Sequence, residues 1–508
     1  MATRGWRRPA LALLLVLFVA GCASVSTQRV DEPVDRGDSP VAACGALFDR
    51  TDAEVELADV RDARAERIDG FPWLRVDRPL ASFRDEVGTS ARFTAWVNQL
   101  ARLDARAREH ELANLPDAAH ERLHEQWQPA ARARGLPSPV DDAMNACRDI
   151  LNADLRADDD ARDRLQTAAT VPDAYVTWMR ALGLYPITSW LARPQVKALH
   201  ERKAAGIEAG ADPELVKDYA TPRHPWTDQP ADTAPVARGI QRDALDIPVP
   251  TPEQRAILFA AHAPIWRVET ASTADRPGAL LLDADGRSRV DSDQPVEYRD
   301  FSWTRFDELV LPQFSYTVWF PERAAEGWLD IYAGHLDAVT WRVTLGPDGR
   351  VLAYESIHAC GCYYTLLPGA GWQAINDIPR SEEPVYAPMP APESAADEQM
   401  RVTLEQGRHY ILGVDTIARA DAGNARPLAP LPSDHLRSLP LPGGGSASVY
   451  DSDGFIPSTS RLERFILWPM GVRDAGAMRQ DGNHAIAFIG RRHFDDPRLL
   501  ESLLERAD

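Results

Sequence analysis

The chain has 508 residues, 76 of them acidic and 56 Lys or Arg, for a formal net charge of -20. A surface that acidic repels nucleic acid and anionic lipid headgroups, which excludes the first as a partner and argues against the second. A hydrophobic fraction of 44% is enough for packed cores, and the length suits two or three domains rather than a disordered stalk.

The first residues read as an export signal. Arg4, Arg7 and Arg8 precede an unbroken apolar run from Ala10 to Ala20, too short to span a bilayer as a mature helix. The run ends in Val19-Ala20-Gly21-Cys22, which resembles the lipobox of bacterial lipoproteins. By that resemblance residues 1–21 are removed, Cys22 carries lipid, and 22–40 form a polar tether to a membrane. Ala23, where an aspartate commonly signals inner-membrane retention, favours the outer membrane. Two or three acyl chains hold firmly, at ~0.8 kcal/mol per buried methylene. Loss of the three signal arginines takes the mature charge to -23. The expected partner is therefore the membrane, through lipid on Cys22. A protein or small-molecule partner is not legible, and no cofactor is expected.

Residues 41–218 read as a helical domain. Phe93, Trp96, Val97, Leu100 and Leu103 recur at helical spacing, and Pro116-Asp117 marks a helix start. On the following helix His120-Glu121-Arg122-Leu123-His124 matches the H-E-x-x-H zinc motif, with both histidines on one face and a glutamate able to activate water. Arg122 and Glu125 place charge where a zinc peptidase keeps uncharged residues, and a third ligand is missing at the usual offsets. The motif therefore reads as a solvated helix face. Val140, Met144, Cys147, Leu151 and Leu155 draw one apolar stripe, burying Cys147, a candidate for a structural bridge to Cys44. The aromatic run Val171–Leu191 reads as a core helix broken at Pro186, with membrane or partner docking as the alternative.

Residues 219–252, rich in Pro, Asp and Thr, read as a linker. From 253 to 508 short alternating segments and turns predict a β-rich α+β domain, mainly antiparallel, making the whole chain α+β with a helical half first. Phe314–Phe320 alternates, and Val339–Leu345 and Arg350–Ile357 flank Gly346-Pro347-Asp348-Gly349, a hairpin signature. Ala485–Gly490 is expected as a last buried strand and Pro497–Arg506 as a closing helix.

Beyond Cys22 there are Cys44, Cys147, Cys360 and Cys362, which permit two disulfides in three pairings. His358, Cys360 and Cys362 crowd five residues at the end of a strand. Thiolate and imidazole suit zinc or copper. A Cys-Gly-Cys pair with a nearby histidine suits thiol–disulfide exchange. A bridge from each cysteine to another part of the chain is the third, most ordinary fate. No nucleotide loop, dinucleotide fingerprint or serine-hydrolase elbow occurs. The reading that results is a binding or envelope-assembly protein. The alternatives are a thiol-redox or metal-binding protein using His358, Cys360 and Cys362, and a zinc hydrolase using His120, Glu121 and His124.

Overall fold

The computed structural model describes residues 39–222, 232–395 and 397–507. The signal, Cys22 and nearly all of the tether lie outside the described residues.

The helical half assembles from α1 (Pro40–Ala58), a small hairpin of β1 (Glu66–Ile68) and β2 (Phe71–Val76), the short α2 (Arg78–Ala81), and α3 (Ser90–Asn114), α4 (Asp117–Arg134), α5 (Val140–Ala157) and α6 (Asp159–Ala168). Its ends are closed as its sequence suggests: Ser39 Oγ accepts the Ala42 N–H, and Thr89 Oγ1 accepts the Arg92 N–H. The stripe on α5 is buried as spaced, with Met144, Cys147, Leu151 and Leu155 all facing the core, and Cys147 is bridged to Cys44 of α1. That core is also charged. Asp104 lies 2.9 Å from Arg148 and 3.2 Å from Arg108, while Glu111 lies 2.6 Å from Arg75. Burial pushes the Asp104 carboxyl up, but the guanidinium groups of Arg108, Arg75 and Arg148 outweigh it and hold the group below its usual value.

The run Val171–Leu191 does not form a core helix. It makes α7 (Thr177–Leu182) and the start of α8 (Tyr185–Ala209), separated by Gly183 and by Leu184 at φ 51°. Pro186 falls inside the first turn of α8, where its missing N–H costs nothing. Only Tyr175, Arg180 and Gly183 of this run are buried; Trp178 (63% exposed) and Trp190 (71%) face outward. Arg180 ties this run to the rest of the molecule. It lies over the rings of Tyr175 and Tyr185 and donates to the carbonyls of Met470 and Gly490.

The second half contains β3 (Val216–Ala220), α9 (Ala234–Arg238), β4 (Gln241–Arg242), β5 (Pro248–Val249), α10 (Pro252–His262), β6 (Ile265–Glu269), β7 (Ala279–Leu282), β8 (Ser288–Asp291), β9 (Val296–Phe306), β10 (Leu309–Arg323), β11 (Gly334–Leu345), β12 (Val351–His358), β13 (Thr365–Pro368), β14 (Trp372–Ala374), β15 (Glu398–Leu404) and β16 (Ile411–Ala418). Strands β9 to β13 form one antiparallel sheet in chain order, with strand 429–432 added in parallel at the β9 edge. The second sheet runs β16-β15-β6-β3, then strand 426–427. The expected hairpin is present: the Gly346 N–H donates to Arg350 O, and Trp341 pairs with Ser356 across it.

Strand alternation sends Phe314, Tyr316, Val318 and Phe320 of β10, with Val339, Trp341 and Val343 of β11, against Trp266, Val268, Val402 and Val414 of the other sheet. Within the stretch read as a linker, Tyr219 belongs to β3 and Leu245 and Ile247 enter the helical core. Residues 485–490 form no strand; Ala485 makes a lone bridge to His493. The closing helix shrinks to α12 (Leu499–Leu503), following a short α11 (Arg464–Leu467).

Candidate functional site

A cavity of about 610 Å³ opens where α8, the turn after β12 and the 461–488 segment meet. Helix α8 presents Val196, Leu199, Lys203 and Gly206 to it, spaced three, four and three. Opposite lie Cys360, Cys362 and Tyr363. The turn that carries them is closed by its own backbone: the Gly361 N–H donates to His358 O, and the His358 N–H donates to Cys362 O. Gly361 has φ +87°, and a Cβ there would come within 2.5 Å of Ala485 O, so only glycine fits.

Both thiols are free, Cys360 buried and Cys362 half-buried. The Cys362 N–H donates to Cys360 Sγ at 3.4 Å. Burial raises the Cys360 thiol. The hydrogen bond from the Cys362 thiol and the charge of Arg461 outweigh it, leaving Cys360 below its usual value. The same shared proton, then burial, pushes Cys362 far up. Of the two, Cys360 is therefore the thiol that gives up its proton more readily, with Cys362 as its hydrogen-bond donor. Such a pair can attack a substrate disulfide through Cys360, expelling one thiolate. Cys362 then attacks the mixed disulfide, releases the second thiol and leaves an oxidised pair that an external reductant must restore.

Around the thiols stand charges that sequence spacing did not reveal. Lys203 Nζ donates to Thr365 Oγ1 at 2.8 Å and to Tyr363 O at 3.1 Å, and burial lowers it to about 7. Burial raises Glu463 to about 7. Arg323, at the end of β10, donates to Tyr363 Oη at 2.7 Å and lies over the rings of Tyr363 and Tyr410. Among the described residues, Glu463 Oε1, Arg323 Nε and Arg461 Nε and Nη1 have no hydrogen-bond partner. The lining also includes Ile411, Leu412 and Phe488, so an apolar body and a polar, sulfur-bearing floor share one space.

The expected trio is split. His358 follows Tyr354 at even spacing on β12 and therefore turns into the space between the sheets, where its Nδ1 meets Asp337 Oδ1 at 3.1 Å. The other oxygen of Asp337 meets His409 Nδ1 at 2.8 Å, and His409 stacks on Phe320. Two imidazoles thus share one buried carboxylate behind the thiol turn. Cys44 and Cys147 are joined to each other, far from the cavity in sequence and in the helical core.

His120, Glu121 and His124 are exposed on α4. His120 Nε2 bonds to Leu112 O at 2.8 Å, His124 Nε2 meets the Gln128 side-chain nitrogen at 2.9 Å, and Arg122 is paired with Glu54. Among the described residues no group of three or more His, Cys, Asp and Glu side chains is placed to hold a metal ion, and no helix is long and apolar enough to cross a membrane. No protein-family model matches the chain, and neither curated proteins nor solved structures offer one similar to it.

Proposed function

We propose that this is an exported, lipid-anchored binding protein, held on the outer membrane through Cys22, whose cavity takes a small, mostly apolar molecule and meets it with the Cys360/Cys362 thiols. The observation that carries the reading is that both thiols line the same cavity, on a turn that only glycine at 361 allows. The ordinary fate, a bridge from each cysteine to a distant one, has lost its partners, because Cys44 and Cys147 are joined to each other. Thiol–disulfide exchange is the chemistry favoured by the asymmetry of the pair.

Alkylation of the folded protein over a pH series, read by mass spectrometry, tests this. Cys360 is expected to react at pH values where an ordinary thiol is still protonated, and an apolar dye bound in the cavity should slow it. Equal, slow reaction of both thiols at every pH, with no protection by the dye, defeats the proposal. The anchor is tested separately: Cys22→Ser should abolish fatty-acid labelling.

A further inference from the structure

We infer that the face around the cavity mouth docks on a lipid bilayer, so that the occupant of the cavity enters from the membrane. This deepens the pocket reading by giving the ligand's class: an amphiphile dissolved in the bilayer.

The outward-facing residues of α7 and α8 are large and apolar: Trp178, Leu182, Ile187 and Trp190 are all more than half exposed. They are not scattered. Gly183 is packed directly against Pro469, where a Cβ would lie 2.5 Å from the proline's own, and the Val176 N–H donates to Gly471 O. This brings α11 alongside, with Phe465 and Ile466 also exposed. The Glu463 N–H donates to Ile331 O, which ties in the 324–333 loop and its Trp328, 92% exposed. Leu467, Trp328 and Ala192 line the cavity, so the exposed face continues into the apolar wall within. An apolar surface of this extent needs a covering partner.

The charges say which. In a chain with 76 acidic residues, none lies between Asp173 and Glu201, a stretch of 27 residues in which Arg180 is buried and Lys197 is paired with the bordering Glu201. None lies between Glu463 and Asp474 either, and the arginines of that stretch are paired, Arg464 with Asp474 and Arg473 with Asp453. The 324–333 loop adds Glu326 and Asp330, and Glu326 is paired with Arg408. The charges of this face are thus mostly answered within the protein, and it lacks the strong negative charge of the chain as a whole. Exposed tryptophans on a broad apolar surface whose charges are already paired are what the headgroup region of a bilayer accommodates. A protein partner is the competing occupant; it has no need of an acid-free border 27 residues long.

The test uses the full chain with phosphatidylcholine vesicles carrying brominated acyl chains, with and without phosphatidylglycerol, and reads tryptophan fluorescence. Brominated lipid is expected to quench the wild type, with little dependence on phosphatidylglycerol or salt. The Trp178→Ser/Trp190→Ser variant should lose about half or more of that quenching, and both positions are exposed enough to keep the fold. Equal quenching in wild type and variant, or none in either, overturns the inference, whatever else holds the chain on the vesicle. Thiol reactivity is measured without vesicles, so failure of the pocket reading leaves the quenching result standing, and the reverse.

Discussion

Two buried charge clusters in this molecule are built on opposite terms. In the helical half, Asp104, Glu111 and Asp52 answer Arg75, Arg108 and Arg148; atoms such as Arg75 Nε and Arg108 Nη1 that lack a well-aligned hydrogen bond still lie 3.5 Å and 2.6 Å from a carboxylate. At the cavity floor, Arg323 and Glu463 keep polar atoms without partners, beside a thiol pair and a buried lysine, and Arg461 does the same outside the lining. The first cluster is a closed lock between helices. The second spends stability to hold charge in readiness, which is where functional groups are found. The lesson is that burial of charge does not by itself mark a site; incompleteness does.

The sharpest way to break this comparison is Asp104→Ala, which strands two buried guanidinium groups and should cost about 3–5 kcal/mol by urea unfolding. Asp104 sits below its usual value, so its stabilisation is present above the ordinary carboxylate range and is lost as pH falls through its lowered native value; the variant should lack that acid limb. A variant as stable as the wild type would erase the contrast.

Next in size is the bridge between α1 and α5. Reduction, or Cys147→Ser, frees a loop spanning 103 residues and should lower stability by about 2–5 kcal/mol, read as a drop in Tm.

The cavity groups should behave with the opposite sign. Glu463 is raised from 4.5 to about 7, so the folded chain keeps a proton the unfolded chain has lost, and stability falls as pH rises from 4.5 to 7. Lys203 is lowered from 10.5 to about 7, so the unfolded chain holds the extra proton and stability rises from pH 7 to 10.5. Wild type minus Glu463→Gln should show the falling limb and wild type minus Lys203→Met the rising one, each about 2–3 kcal/mol deep. Flat difference curves would mean the floor is as well satisfied as the helical lock.

The smallest effect belongs to the exposed zinc-like motif: Glu121→Ala should change stability by no more than about 0.5 kcal/mol and leave thiol reactivity unaltered.

Elements with local signatures were legible in sequence. The α5 stripe, the Pro116-Asp117 start, the Gly346–Gly349 hairpin and the α+β order follow from periodicity and turn chemistry acting over a few residues. Cys147 on a buried stripe made its bridge to Cys44 one readable pairing among three. The cavity was legible only at Cys360 and Cys362. Lys203, Arg323 and Glu463 come from elements more than a hundred residues apart, and each alone looks like an ordinary surface charge. His358 misled because adjacency in sequence becomes divergence where a strand ends in a turn. Val171–Leu191 misled because composition cannot say whether an apolar face meets the protein's own core or something outside it.

The position of Cys44 has a mechanical meaning. It is the fifth residue of α1, and its sulfur is joined to Cys147 in the middle of α5. A pull arriving from the N-terminal side can peel only residues 40–43 before the load passes through a covalent bond into α5. From there it spreads into the stripe of Met144, Leu151 and Leu155 rather than unzipping α1 from its end. Under the proposed anchoring through Cys22, that bridge would serve as a strain relief, set where a cable enters its housing.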